Sequence, residues 1–399
     1  MKNIYSVVFF IVYVFYSCGK QESKEQVPTI DLSKIYSNTN KVKLSEVANA
    51  IEYIQLETTE KSIIGTIDDP TKKIKFFGNN IFVNYGGILR FTKDGKFLNR
   101  IGNLGRGPKE YERVRSFTPF TNQDSLVIIY SDVQQKALTY NIQGAYKSKF
   151  KINFSPANLS FYEENLFFLN NIGSRNKSMF YALNVLSKKG ELKNRLLFKK
   201  NEKGIDLGST SMYNIYTLDK TLHYWENNYD TLWTINKNFK ANPKYIFNIG
   251  ENTIPLEKRT QKNMLDFDYS VKFDHFSMLF ESSRFFFFKT IFNKKFYYIY
   301  YDKISLNSSA VEFKRPFSKG IHLAFYNDID GGMPFWPMGN VSDNKLYMLL
   351  YGYEMKDYIA KKGKNFDAID KPSRDKLLKL VEKSKISDNP ILMVVTLKE

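Results

Sequence analysis

Four features of the chain carry residue types that do chemistry. The first is Ile101-Gly102-Asn103-Leu104-Gly105-Arg106-Gly107-Pro108-Lys109-Glu110-Tyr111, with three glycines around one arginine. A phosphate-cradling loop of the Walker type needs Gly-Lys-Ser/Thr opening a helix. Here Pro108-Lys109-Glu110-Tyr111 leads toward an extended segment, so the spacing predicts a tight crossover between strands, from which Arg106 projects as a planar anion donor. The second is Asp328-Ile329-Asp330-Gly331-Gly332, followed by Phe335-Trp336. Its two carboxylates resemble part of a calcium loop, but the further Asp/Asn and the bidentate Glu are missing. An Asx turn fits the spacing better than a metal loop, and a carboxylate-plus-aromatic contact to a ligand is the functional reading. The third is the trio His223, His275 and His322, drawn from separate parts of the chain. No Gly-x-Ser-x-Gly or His-Glu-x-x-His pattern accompanies them, so no catalytic residue, metal site or cofactor is assigned. The fourth is Cys18, the only cysteine.

Cys18 ends a segment with a basic start, Lys2, and an almost wholly apolar run from Ile4 to Tyr16. That run is short of the roughly 18 residues a spanning helix needs and has the form of a secretory signal peptide over residues 1–17. A lone cysteine at this position is similar to the lipobox of bacterial lipoproteins, with Phe15-Tyr16-Ser17 replacing the usual residues. The expectation is a lipid anchor at Cys18, a flexible tether over 18–40, and a folded body over 41–399.

The elements that must position these residues follow from a repeat. A polar pair or turn precedes a short aromatic or β-branched run at 79, 124, 164, 220, 283 and 344, as in Asn79-Asn80-Ile81-Phe82-Val83 and Ser283-Arg284-Phe285-Phe286-Phe287. These starts lie 40 to 63 residues apart, and periods of roughly 40–50 residues carrying several short strands each are the signature of propeller blades. A further strand follows each run, often ending at a turn such as Lys93-Asp94-Gly95-Lys96. The expected fold is all-β, a six-bladed β-propeller. The last blade runs out of chain at Ile391–Leu397, so Ile51–Glu57 is expected to pair with it and close the ring. Residues from about 354 to 388 interrupt blade six as a helical insertion, with Ser373 as N-cap after Pro372.

Composition agrees with this architecture. The chain of 399 residues is 43% hydrophobic and 16% aromatic, with 34 Phe and 27 Tyr, which suits buried strands and excludes disorder of the body. The net charge of +18 rests on 48 Lys and only 11 Arg. Bidentate recognition of phosphate or base edges prefers Arg, so together with export the composition argues against nucleic acid.

On these residues the chain resembles known families. Its Gly102–Gly107 segment is similar to the Gly-rich interblade motif of NHL-type propellers. With Cys18, the Leu44-Ser45-Glu46-Val47-Ala48 lead-in and Asn327–Gly332, it resembles the 6-bladed β-propeller lipoproteins of Bacteroides-type bacteria. The resemblance implies an anchored, extracytoplasmic propeller in the cell envelope, most simply at the outer membrane, and carries over no catalytic residues. The functional expectation is a binding module that recognises an extracellular glycan, peptide or envelope protein at its loop face, with Arg106, Asp328, Asp330 and Trp336 as ligand contacts. The alternative is an enzyme acting on an extracellular glycan, with paired carboxylates converging in the central channel.

Overall fold

The computed structural model describes residues 26–37, 39–122, 124–154, 156–170, 181–198, 213–227, 229–255, 277–313, 325–363 and 366–399. Two strands precede the repeats, β1 (Thr29–Asp31) and β2 (Ala48–Gln55). Blade one is β3 (Ile74–Phe77), β4 (Asn80–Asn84), β5 (Ile88–Thr92) and β6 (Phe97–Ile101). Blade two is β7 (Ser116–Asn122), β8 (Asp124–Ser131), β9 (Lys136–Asn141) and β10 (Tyr146–Lys151). Blade three is β11 (Pro156–Tyr162), β12 (Asn165–Asn170), β13 (Tyr181–Ser187) and β14 (Leu192–Phe198). Blade four is β15 (Tyr213–Leu218), β16 (Thr221–Glu226), β17 (Thr231–Ile235) and β18 (Ala241–Asn248). Blade five is β19 (Ser277–Glu281), β20 (Phe285–Phe292), β21 (Lys295–Asp302) and β22 (Ser308–Phe313). Blade six is β23 (Gly339–Ser342), β24 (Lys345–Leu350) and β25 (Ile391–Leu397), completed by β2.

Ring closure is therefore as expected, with β2 antiparallel to β25 in the register Ile51↔Val395 and Tyr53↔Met393. Asn389, buried beside this seam, donates to the carbonyls of Glu57 and Ser62, both at 2.7 Å, and accepts from Ile64 N at 2.7 Å. One side chain thus ties the two ends of the chain together.

The aromatic and β-branched runs read from sequence are the second strands of the blades, not the innermost ones. The innermost strands β3, β7, β11, β15, β19 and β23 escape that pattern because their free inner edge faces a channel instead of another strand. All but β3 mix Ser, Thr or Asn with apolar residues, β3 carries Lys75 instead, and β7 tolerates Pro119 as an edge strand can. Glycines at the outer hairpins seat blades one, two and three on the blade before each. A Cβ on Gly95 would collide with Gln55 O of β2, one on Gly144 with Arg100 O of β6, and one on Gly190 with the Phe150 ring of β10. Cores lie between blades, such as Phe82, Tyr111, Phe117 and Tyr140 between blades one and two.

Two further expectations are corrected. Residues 29–40 are not part of a free tether. β1 adds to the outer edge of blade four, parallel to β18, and Tyr36 stacks on Phe292 with centroids 4.6 Å apart. Asn40 N then donates to Ala310 O on β22 at 3.0 Å. This strap leads into α1 (Leu44–Val47) and β2, covering sheet edges that would otherwise be open. The insertion in blade six is two helices, α3 (Gly352–Lys362) and α4 (Lys371–Lys383), and α4 is capped by Asp370 instead of Ser373. Asp370 carries the shorter reach to the first turn, accepting from Ser373 N at 3.0 Å and Ser373 Oγ at 2.6 Å. A short helix α2 (Pro70–Lys73) leads into β3. Among the described residues no helix is long and apolar enough to cross a membrane. Residues 1–25, including Cys18 and the signal segment, lie outside the described residues, as do His275 and His322.

Candidate ligand-binding channel

With four antiparallel strands per blade, each outer strand ends on the face from which the next inner strand starts. All six inner strands therefore run the same way, and they enclose a central cavity of about 890 Å³. That size lies within the roughly 300–1,000 Å³ typical of small-molecule sites. Thr118, Asn158, Ser160, Asn214 and Asn340 supply neutral donors and acceptors to its wall, and Phe76, Phe161 and Phe280 supply apolar surface. Ser116 Oγ donates to Asn158 Oδ1 at 2.8 Å, which joins β7 to β11 and orients the amide.

Lys75 brings a charge to this wall. Its neighbours Ile74 and Phe76 pack toward blade six, so strand alternation turns Lys75 to the opposite side. The Nζ atom lies 3.4 Å from Leu159 O and 5.5 Å from the centroid of the Phe117 ring. Among the described residues no carboxylate pairs with it. Desolvation by the channel wall pulls its ammonium from the ordinary 10.5 down to about 8.

Across the channel, Tyr216 lines the wall and hands its hydroxyl outward to a buried cluster between blades four and five. Glu281 Oε2 accepts from Tyr216 OH at 2.6 Å and from His223 Nδ1 at 2.7 Å, and Oε1 accepts from Lys303 Nζ at 2.7 Å. With Nδ1 donating, His223 Nε2 is free to accept from Lys244 Nζ, 3.3 Å away. Burial alone would push the Glu281 carboxyl up. The hydrogen bond from His223 and the charges of Lys303 and Lys244 outweigh it and hold the group at about 2. His223 is thus a packed, partnered imidazole inside β16.

The four residues singled out as ligand contacts are not brought together. Arg106 stands in the blade one to two crossover, its side chain 90% exposed and 3.4 Å from Glu112. The glycines around it are scaffold: a Cβ on Gly105 or Gly107 would run into the Glu110 carboxylate, and Tyr111 OH donates to Ile101 O at 2.6 Å. Asp328, Asp330 and Trp336 stand in the blade five to six crossover. Asp328 accepts from Ser45 N at 3.0 Å and Ser45 Oγ at 2.6 Å, which fixes α1. Asp330 is fully buried, accepts from Asn327 Nδ2 at 2.6 Å and Gly332 N at 2.8 Å, and is pushed up by desolvation. Trp336 is 4% exposed and stacks on Tyr298 at 4.0 Å, so its face is closed to a ligand. The channel residues escaped sequence reading because the inner strands themselves did. The available signal is a second strand-length segment that begins five to eight residues ahead of each apolar run and is polar in most blades.

These features define a ring-closed six-bladed β-propeller with a channel of ligand-binding size. Within that class, the chain belongs to the family described as Domain of unknown function (DUF4934), which it matches over residues 27–396. It is similar to the crystal structure of a Bacteroides fragilis protein designated as exported, with a TM-score of 0.72 at 20% identity over 93% of this chain and 100% of that one. A member of the DUF4221 family from Bacteroides vulgatus matches with a TM-score of 0.52 at 11% identity, over 90% and 99% of the two chains. Both likenesses show the fold alone. Virginiamycin B lyase from Staphylococcus aureus reaches a TM-score of only 0.36 at 12% identity, over 75% and 80% of the two chains, and carries no argument about activity. No match is found among curated proteins.

Proposed function

We propose that the protein is an exported, lipid-anchored binding propeller of the cell envelope, which takes part of a glycan, peptide or envelope partner into its central channel. The observation that supports this reading is the cavity of about 890 Å³ walled by neutral amides, hydroxyls and aromatic faces. Such a lining suits recognition by hydrogen bonds and stacking. The glycan-acting enzyme is less well supported. Its chemistry needs two carboxylates about 5–9.5 Å apart across the scissile bond. Among the described residues the lining carboxylates are Asp69, which precedes β3, and Asp343, which follows β23, so they flank opposite mouths. Glu281 is sealed behind Tyr216 with both oxygens already accepting.

The anchor reading rests on the signal-like segment ending at Cys18, and Cys18→Ser should move the protein to the soluble fraction. The binding reading is tested by screening glycans, peptides and envelope extracts against the body from residue 26 onward, because starting at residue 41 would remove the strap. Binding that disappears in Ser160→Trp, which fills the channel, is the expected result. Binding indifferent to that substitution would place recognition elsewhere.

A further inference from the structure

Among the described residues, Lys75 is the ammonium on the channel wall that no carboxylate pairs with. The other titratable groups on the lining are accounted for: Asp69 and Lys72 pair at 3.1 Å, and Tyr216 donates to Glu281. Asp343 is exposed beyond β23, at the far mouth. Lys73, beside the channel on α2, pairs with Asp68. β4, β7 and β11, which pack beside Lys75, contribute no carboxylate. Around Lys75 the wall offers Asn158, Ser160 and Thr118, side chains that hydrogen-bond hydroxyl groups. A desolvated cation facing a cavity is costly until an anion joins it.

We infer that the channel's ligand is a sugar bearing one singly charged acidic group, carboxylate or sulfate ester, which Lys75 meets as its counter-ion while the neutral side chains hold its hydroxyls. The inference rests on the binding-propeller reading above and names its ligand class. A lone lysine is a point charge without the fork that grips a phosphate dianion, so a monoanion is the better match. The chain's net charge of +18 draws acidic ligands toward it from solution. Because Lys75 loses its proton near pH 8 when the channel is empty, acidic-ligand affinity should fall as pH rises above 8.

The test uses the full chain in detergent and calorimetric titration with three probes: galacturonic acid, galactose 6-sulfate and neutral galactose. At least one acidic probe should bind wild type tenfold or more tightly than the neutral one, and which acidic probe does so tells carboxylate from sulfate. Lys75→Met should remove that advantage and leave neutral affinity unchanged, whereas Lys75→Arg should keep it, with melting temperatures confirming that both variants fold. Equal affinity for acidic and neutral probes, or acidic binding untouched in Lys75→Met, overturns the inference. If the acidic probes show no Lys75-dependent advantage while a neutral saccharide or a peptide binds wild type and is lost in Ser160→Trp, the binding reading stands and only this inference falls. If nothing binds in a channel-dependent way, both fall.

Discussion

Two enclosed charges lie on opposite sides of the ring, Glu281 between blades four and five and Lys75 on the side of blades one to three. Glu281 is met by His223, Tyr216 and Lys303 within 2.7 Å, with Lys244 at 3.8 Å. Lys75 has one long contact to a carbonyl and an aromatic ring. The same burial thus has opposite consequences. Partners hold Glu281 ionised far below the ordinary carboxylate range, while Lys75, lacking them, is pulled toward neutrality. A buried charge whose every partner is supplied by the fold ties blades together, and one left open toward a cavity is available to a ligand.

The largest effect that would break this contrast lies at Glu281. Glu281→Gln leaves Lys303 and Lys244 without their anion in the blade four to five interface and should cost about 3–5 kcal/mol of unfolding free energy in urea at neutral pH. A loss below about 1 kcal/mol would mean that the cluster is not a clamp. The pH dependence has a definite sign. The folded pKa of about 2 lies below the ordinary 4.5, so the carboxylate's contribution is present above 4.5 and is lost as pH falls toward 2. The stability gap between wild type and Glu281→Gln should therefore shrink across that window.

Smaller effects test the crossover between blades five and six, and they bear on what sequence can reveal. Asp328, Asp330 and Trp336 stand out in the sequence because carboxylates, glycines and a tryptophan seldom cluster without cause, and the cause is local architecture. Asp328→Ala should cost about 1.5–3 kcal/mol by removing charge-assisted bonds to Ser45 N and Oγ, without changing ligand affinity. Weakened binding at unchanged stability would return this segment to the site. Blade number, ring closure and the insertion were legible because strand runs and turn residues are set by neighbours along the chain. The inner strands were not, since their polar residues face a channel that exists only once six blades are assembled. The strap was equally hidden: Thr29-Ile30-Asp31 is too short to read as a strand on its own and becomes one because β18 offers an open edge.

The smallest expected stability change is at Lys75, and its sign is the most informative. An ammonium serving the fold would be missed when removed. One held ready for a ligand burdens the empty protein, and Lys75→Met keeps most of the aliphatic stem while deleting the charge. The variant should therefore be as stable as wild type or more stable by about 1 kcal/mol at pH 7. The folded pKa of about 8 lies below the unfolded 10.5, so the burden is fully present below pH 8 and is relieved as pH rises toward 10.5. Wild type should gain on Lys75→Met over that interval in urea titrations at stepped pH. If Lys75→Met instead loses more than about 1 kcal/mol at pH 7, the contacts to Leu159 O and the Phe117 ring are structural. Lys75 would then belong with Glu281 as part of the clamp, and the contrast between the two walls would disappear.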